Sequence, residues 1–135
     1  AESCTGGLCA KLLTDISGSS SFLDLGLVTY SNTSKQTLLQ VPKKCLDDEG
    51  AVSEKTAKAM VEGLLTISTA SYGIAITGVA GPEGGTKKNP VGTVYIALKT
   101  PSKILVKRQV FLGGRRRIRI RSVYAALSLL LDNIT

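Results

Sequence analysis

Histidine is absent from all 135 residues, and tryptophan with it. The first absence removes the usual general base of serine and cysteine hydrolases. It also leaves no plausible zinc set, because Cys4, Cys9 and Cys45 form no CxxC pair and cannot all be bridged. These cysteines read as reduced, small, mostly buried thiols of a cytosolic protein, Cys4 alone sitting where a helix begins. Aromatic residues are only 4% of the chain, which withholds the stacking platforms of single-strand nucleic-acid binders. No apolar run approaches the roughly 18 residues of a membrane span. The nearest, YAALSLLL at 124–131, is broken by Ser128 and stopped by Asp132. No low-complexity tract or internal repeat is evident, and no signal peptide is read at the start. The chain opens at once with AESCTGG and no initiator methionine, so it reads as a fragment or a trimmed segment.

What is present is the balance of a soluble globular protein, 43% hydrophobic and 20% charged, in a length suited to one domain over 1–135. The net charge of +7 is unevenly spread. Residues 1–98 carry eight Lys/Arg against nine Asp/Glu, whereas residues 99–121 carry nine Lys/Arg and no acid. Such a block reads either as a nucleic-acid footprint or as an anion pocket with a solvated flank.

Apolar residues at Leu8, Cys9, Leu12, Leu13 and Ile16 have helical spacing, with Ser3 or Thr5 as cap. GLVTY (26–30) reads as a short strand, and Asn32 as the N-cap of a helix that carries Lys35. VPKKCLDDEG reads as a loop or single turn. Ser53 caps a helix over about 54–68 with Ala57, Met60, Val61, Leu64 and Leu65 on one side. SYGIAITGVAG has the continuous apolar run of a buried central strand. VGTVYIALKT and ILVKRQVFLG form a hairpin turned at TPSK, and GRRRIRIRSVYAALSLLLDNI closes the chain as a helix. The order α–β–α–α–β–β–β–α predicts an α/β layered domain with a mixed sheet.

Glycines and small polar residues concentrate in SCTGG (3–7), GSSSF (18–22) and TGVAGPEGGT (77–86). None is a P-loop, and Gly78, Gly81 and Gly84 are spaced GxxGxxG rather than as a dinucleotide fingerprint. No nucleotide cofactor is therefore expected. A helix start after Thr5 is still suited to an anion.

If a serine of GSSSF is a nucleophile, its proton needs another acceptor. A neutral lysine serves, at a pKa lowered from about 10.4 to about 7–8. Lys35 is placed for that shift, after an apolar strand and near a positive helix end. Lys11 lies in a polar stretch, and Lys43 and Lys44 sit beside three acids. Serine with lysine is a known variant of nucleophile activation.

Read in register, AESCTGG (1–7), TDISGSS (14–20), VTYSNTSK (28–35), GAVSE (50–54), TGVAGPEGG (77–85), NPVGTVYIA (89–97) and GGR (113–115) resemble the CinA C-terminal-domain family. That family contains nicotinamide mononucleotide amidohydrolases of pyridine-nucleotide salvage. The resemblance implies a cytoplasmic three-layer α/β/α domain, commonly a dimer, with a helix and first strand ahead of AESCTGG that this chain lacks. It implies a Ser20–Lys35 catalytic pair with Tyr30 beside the lysine, and substrate contacts from Thr5, Gly6, Gly7, Thr77, Gly84, Gly85 and Arg115. Arg116 and Arg117 compete with Arg115 for the phosphate. No metal or cofactor is implied, and the partner is a small nucleotide. The rival reading is a binding module that uses residues 99–121 for nucleic acid or another polyanion.

Overall fold

The computed structural model describes residues 1–134; Thr135, the last residue of the expected domain, lies outside them. Five α-helices and three strands follow in the order α1 (Leu8–Thr14), α2 (Asn32–Leu39), α3 (Lys43–Glu49), α4 (Glu54–Thr66), β1 (Gly73–Gly78), β2 (Thr93–Lys99), β3 (Ile104–Val110) and α5 (Arg115–Leu131). A single 3₁₀ turn, Ser19–Ser21, lies between α1 and α2.

The strands form an antiparallel sheet in the order β1-β2-β3. Within these three strands β2 is the middle one, buried from Thr93 to Leu98, and β1, from the SYGIAITGVAG segment, is also largely buried and is flanked on its other side by residues 1–3. Beyond β1 the sheet is extended by single parallel bridges from Glu2 to Ile76 and to Val28. The expected strand at 26–30 is thus reduced to one bridge. Residues 1–3 lie between it and β1, held by Glu2 N–H to Leu27 O (2.8 Å), Ser3 N–H to Ile76 O (2.9 Å) and Thr29 N–H to Glu2 O (2.9 Å). The parallel bridges make the sheet mixed, as the element order required.

Alternation along the strands sends two apolar sets to opposite faces. Ile76, Val94, Ile96 and Leu98 pack with Cys4 and Cys9 near α1 and with Ile118, Val123, Ala126 and Leu129 of α5. Ala75, Tyr95 and Ala97 pack with Leu39, Val41, Leu46, Ala57, Met60, Val61 and Leu64 of the α2–α4 side. The chain is therefore a three-layer α/β/α domain.

Three local expectations are revised. VPKKCLDDEG is not a loop but contains α3, where Lys43 and Lys44 meet Asp47 and Asp48 one helical turn on. The cap of α2 is Ser31 rather than Asn32: Ser31 and Ser34 form a reciprocal capping box. Neither Ser3 nor Thr5 caps α1. Its first residues are held instead by the Glu2 carboxylate, which accepts from the amides of Gly7 (3.1 Å), Cys9 (3.0 Å) and Ala10 (2.9 Å).

Candidate functional site

The capping box starts α2 just ahead of Lys35, on the turn that faces the sheet. Lys35 is 1% exposed, and its Nζ meets three oxygens: Thr29 O at 2.8 Å, Ser3 Oγ at 3.0 Å and Tyr30 O at 3.3 Å. No carboxylate is among them. Burial therefore pulls the ammonium below its ordinary pKa of 10.5, opposed only weakly by the Cys4 thiol. Lys35 Nζ donates to all three oxygens, and on losing a proton it would keep two N–H groups for the carbonyls and turn a lone pair to Ser3.

Ser3 ends the 1–3 extension at the sheet and is itself buried. The chain then turns sharply before α1. Ser3 O accepts from Gly6 N–H at 3.0 Å, and Gly6 and Gly7 adopt φ of 57° and 97°. Those left-handed values favour glycine at both positions. From α5, Arg119 reaches the same turn, donating from Nε to Cys4 O (3.1 Å) and from Nη2 to Thr5 O (2.8 Å). Thr5 is fully buried, and its Oγ1 has no hydrogen-bond partner.

Ser20 is not brought to Lys35. It lies exposed in the 3₁₀ turn and lines a polar depression with Ser21, Asp24, Thr69 and Tyr72. The serine that meets Lys35 is Ser3, considered from the sequence only as a helix cap. Tyr30 does lie beside Lys35, but through its carbonyl; its exposed hydroxyl accepts from Arg115 Nη2 at 3.1 Å. Arg115 also donates from Nη1 to Gly81 O at 2.7 Å, so it meets the 79–90 loop at Gly81 and not at Gly84 or Gly85. Those two glycines are exposed in that loop, where a Cβ on Gly85 would lie 2.9 Å from Val91 N. Arg116 and Arg117 are exposed. Thr77 is buried, and its hydroxyl donates to Ala51 O at 2.7 Å, tying β1 to the GAVSE segment.

The expected anion site at the start of α1 is narrowed to Thr5. The Gly7 amide is taken by Glu2 and the Gly6 amide by Ser3 O. Of the three substrate-contact candidates in that turn, Thr5 alone keeps unpartnered donors. The basic segment is likewise partly committed within the chain: Arg108, Arg115, Arg119 and Arg121 all donate to main-chain carbonyls. Among the described residues no group of Cys, Asp or Glu could hold a metal ion, and no helix is long and apolar enough to cross a membrane. A separate apolar cleft of about 420 Å³, lined by Ala1, Leu13, Phe22, Leu25, Leu27 and Leu130 among others, does not include Ser3 or Lys35.

The CinA C-terminal domain family profile matches residues 1–134. A CinA-like protein of Syntrophus aciditrophicus is 51% identical over 131 residues, covering 96% of this chain and 31% of that protein. A CinA-like protein of Geotalea uraniireducens is 50% identical over 127 residues, covering 94% and 30%. The chain thus spans less than a third of the length of these relatives. Among solved structures, the competence/damage inducible protein CihA of Agrobacterium tumefaciens superposes with a TM-score of 0.95 at 44% identity, covering 97% of this chain and 81% of that one. The competence damage-inducible protein A of Klebsiella pneumoniae gives 0.94 at 37% identity, covering 98% and 82%.

Proposed function

The chain belongs to the CinA C-terminal domain family, and on that footing we propose that it hydrolyses the carboxamide of nicotinamide mononucleotide through a Ser3–Lys35 pair. The observation that carries this reading is the 3.0 Å contact between Ser3 Oγ and a buried lysine that has no acidic partner. The substrate comes from the family resemblance. The contact with Lys35 supports Ser3 as the nucleophile in this reading, in place of the Ser20 that the resemblance implied.

The cycle has two halves. Ser3 Oγ attacks the carboxamide carbon and passes its proton to neutral Lys35, while the carbonyl π pair moves to oxygen. The intermediate collapses, its C–N bond breaks, and Lys35 returns the proton to the leaving ammonia. Water then attacks the acyl-enzyme, giving its proton to Lys35, and Ser3 leaves reprotonated with nicotinate mononucleotide released. Thr29 O and Tyr30 O hold the amine in register throughout by accepting its two N–H groups. Arg115, at the rim with Tyr30 and Gly81, is the group of the basic segment placed to meet a phosphate.

Ammonia release from nicotinamide mononucleotide tests the assignment in three variants. Ser3→Ala and Lys35→Ala should each lose about 10⁴-fold or more in turnover, the scale of removing a nucleophile or its base. Ser20→Ala should keep turnover within about threefold, since a surface serine contributes little. A dead Ser20→Ala beside an active Ser3→Ala would return the nucleophile to GSSSF.

A further inference from the structure

We infer that the main-chain amide of Thr5, with the Thr5 hydroxyl, forms the oxyanion hole of this site, and that Arg119 is the positioning residue that aims the amide. The inference rests on the hydrolase reading and adds to it the atoms that receive the developing charge.

The turn after Ser3 is nearly saturated with hydrogen bonds. Ser3 N–H is spent on Ile76 O, Gly6 N–H on Ser3 O, Gly7 N–H on Glu2, and Leu8 N–H on Thr5 O. The Cys4 amide meets its own thiol, so among the described residues only the Thr5 amide in this turn donates to nothing. Thr5 is buried, and its hydroxyl is also without a partner. Buried donors left open in an otherwise satisfied segment mark a place where an acceptor is received during function. They stand two residues beyond the nucleophile, in the turn that carries it, and an oxyanion is the acceptor the reaction creates beside Ser3.

Arg119 accounts for the direction of the Thr5 amide. A trans amide sets its N–H antiparallel to its C=O. By drawing Cys4 O toward α5, the guanidinium turns the Thr5 N–H the opposite way; its second bond, to Thr5 O, locks the next peptide. Its charge also polarises both peptides. Two separate nitrogens of one rigid plane fix both bonds at once, a geometry that the single nitrogen of a lysine here would not reproduce. Gly6 leaves the guanidinium room: a Cβ there would lie 3.4 Å from Arg119 Nη2.

The test uses the chain itself and a fluorophosphonate, whose phosphoryl oxygen occupies an oxyanion hole once the serine is captured. Mass mapping identifies the captured residue, and ¹⁵N-resolved amide spectra before and after capture read the hole. Capture at Ser3, with the Thr5 amide proton moving downfield while the Gly6 and Gly7 amides stay, is the expected result. Capture at Ser3 without that shift overturns the inference and leaves the hydrolase reading standing. Absence of capture at Ser3 takes down both. For Arg119, Arg119→Lys and Arg119→Met should lower kcat about 100-fold, the scale of one lost oxyanion donor, with KM within about twofold. The acid limb of the pH profile, along which Lys35 becomes protonated and turnover falls, should be unmoved. A folded Arg119→Lys chain with parental kcat, or one altered in KM alone, overturns the positioning role. If neither variant folds, the Thr5 amide shift in the parent chain decides the matter.

Discussion

At the scale of single residues, chemistry here is set by what surrounds each titratable group. Lys35 and the thiols of Cys4 and Cys9 are all buried, yet burial moves them in opposite directions, because it always favours the uncharged form. The amine is pulled down, while both thiols are pushed up to about 11. Burial of Cys4, the larger cause, outweighs its own main-chain hydrogen bond and the pull of Arg119 and Lys35; at Cys9 burial is joined by Glu2. Cys4 adjoins the proposed nucleophile, yet its thiol stays protonated at neutral pH and is no rival to Ser3. Iodoacetamide at about pH 8 should therefore alkylate Cys45, the half-buried thiol, well before Cys4 or Cys9. Peptide mapping after timed quenching would show the order. Fast labelling of Cys4 in the folded chain would contradict this account.

At the scale of elements, close backbone contact governs where helices lie. Gly63, in α4, packs on the end of α2 so tightly that an added Cβ would lie 1.8 Å from Leu39 O. Helix propensity alone favours alanine there by about 1 kcal/mol. The backbone clash reverses the sign, and Gly63→Ala should destabilise the chain by about 2 kcal/mol or more. Urea unfolding of the two chains measures the difference; a gain in stability would mean that α2 and α4 separate without cost. Since α2 carries Lys35, such a shift should also reduce turnover in the variant that remains folded.

Capping shows what short-range pattern conveys and what it does not. Ser53 was legible as a cap from its place before an apolar helical stripe, and its Oγ accepts from Thr56 N–H at 3.1 Å. The start of α2 was read one residue late, because Asn and Ser are comparable caps and SN offers both. The start of α1 was misread for a different reason. Its cap comes from Glu2, upstream across the glycine turn, and no local pattern signals a carboxylate folding back over five residues.

At the scale of the whole molecule, the buried lysine makes folding stability depend on pH. Its folded pKa lies below 10.5, so between that lowered value and 10.5 the unfolded chain binds more protons than the folded one. Stability from this group therefore rises with pH across that window and is least below it. Cys4 and Cys9 act oppositely, their contribution being full below 9.0 and lost as pH rises through about 11. Comparison with Lys35→Met isolates the lysine. The stability of the parent relative to that variant should improve as pH rises from neutral toward 10.5, as read by urea midpoints. A flat difference would mean that Lys35 keeps an ordinary pKa.

The layered fold was written locally. Strand and helix periods in residues 54–134 name β1, β2, β3, α4 and α5, because each depends on which side of its own element is apolar. Lys35 was also within reach, since a lysine that follows an apolar strand at a helix start is poised for burial. The partner of that lysine was decided only in three dimensions. Ser20 is 15 residues from Lys35 along the chain and Ser3 is 32, yet parallel bridges on both sides of Glu2 carry Ser3 to the amine. Arg119 reaches the same turn from more than a hundred residues away. Composition can show that a base is needed and which residue types could serve. The pairing of hydroxyl, amine and guanidinium is set by distances of about 3 Å across separate elements, and only the packed sheet and helices fix those.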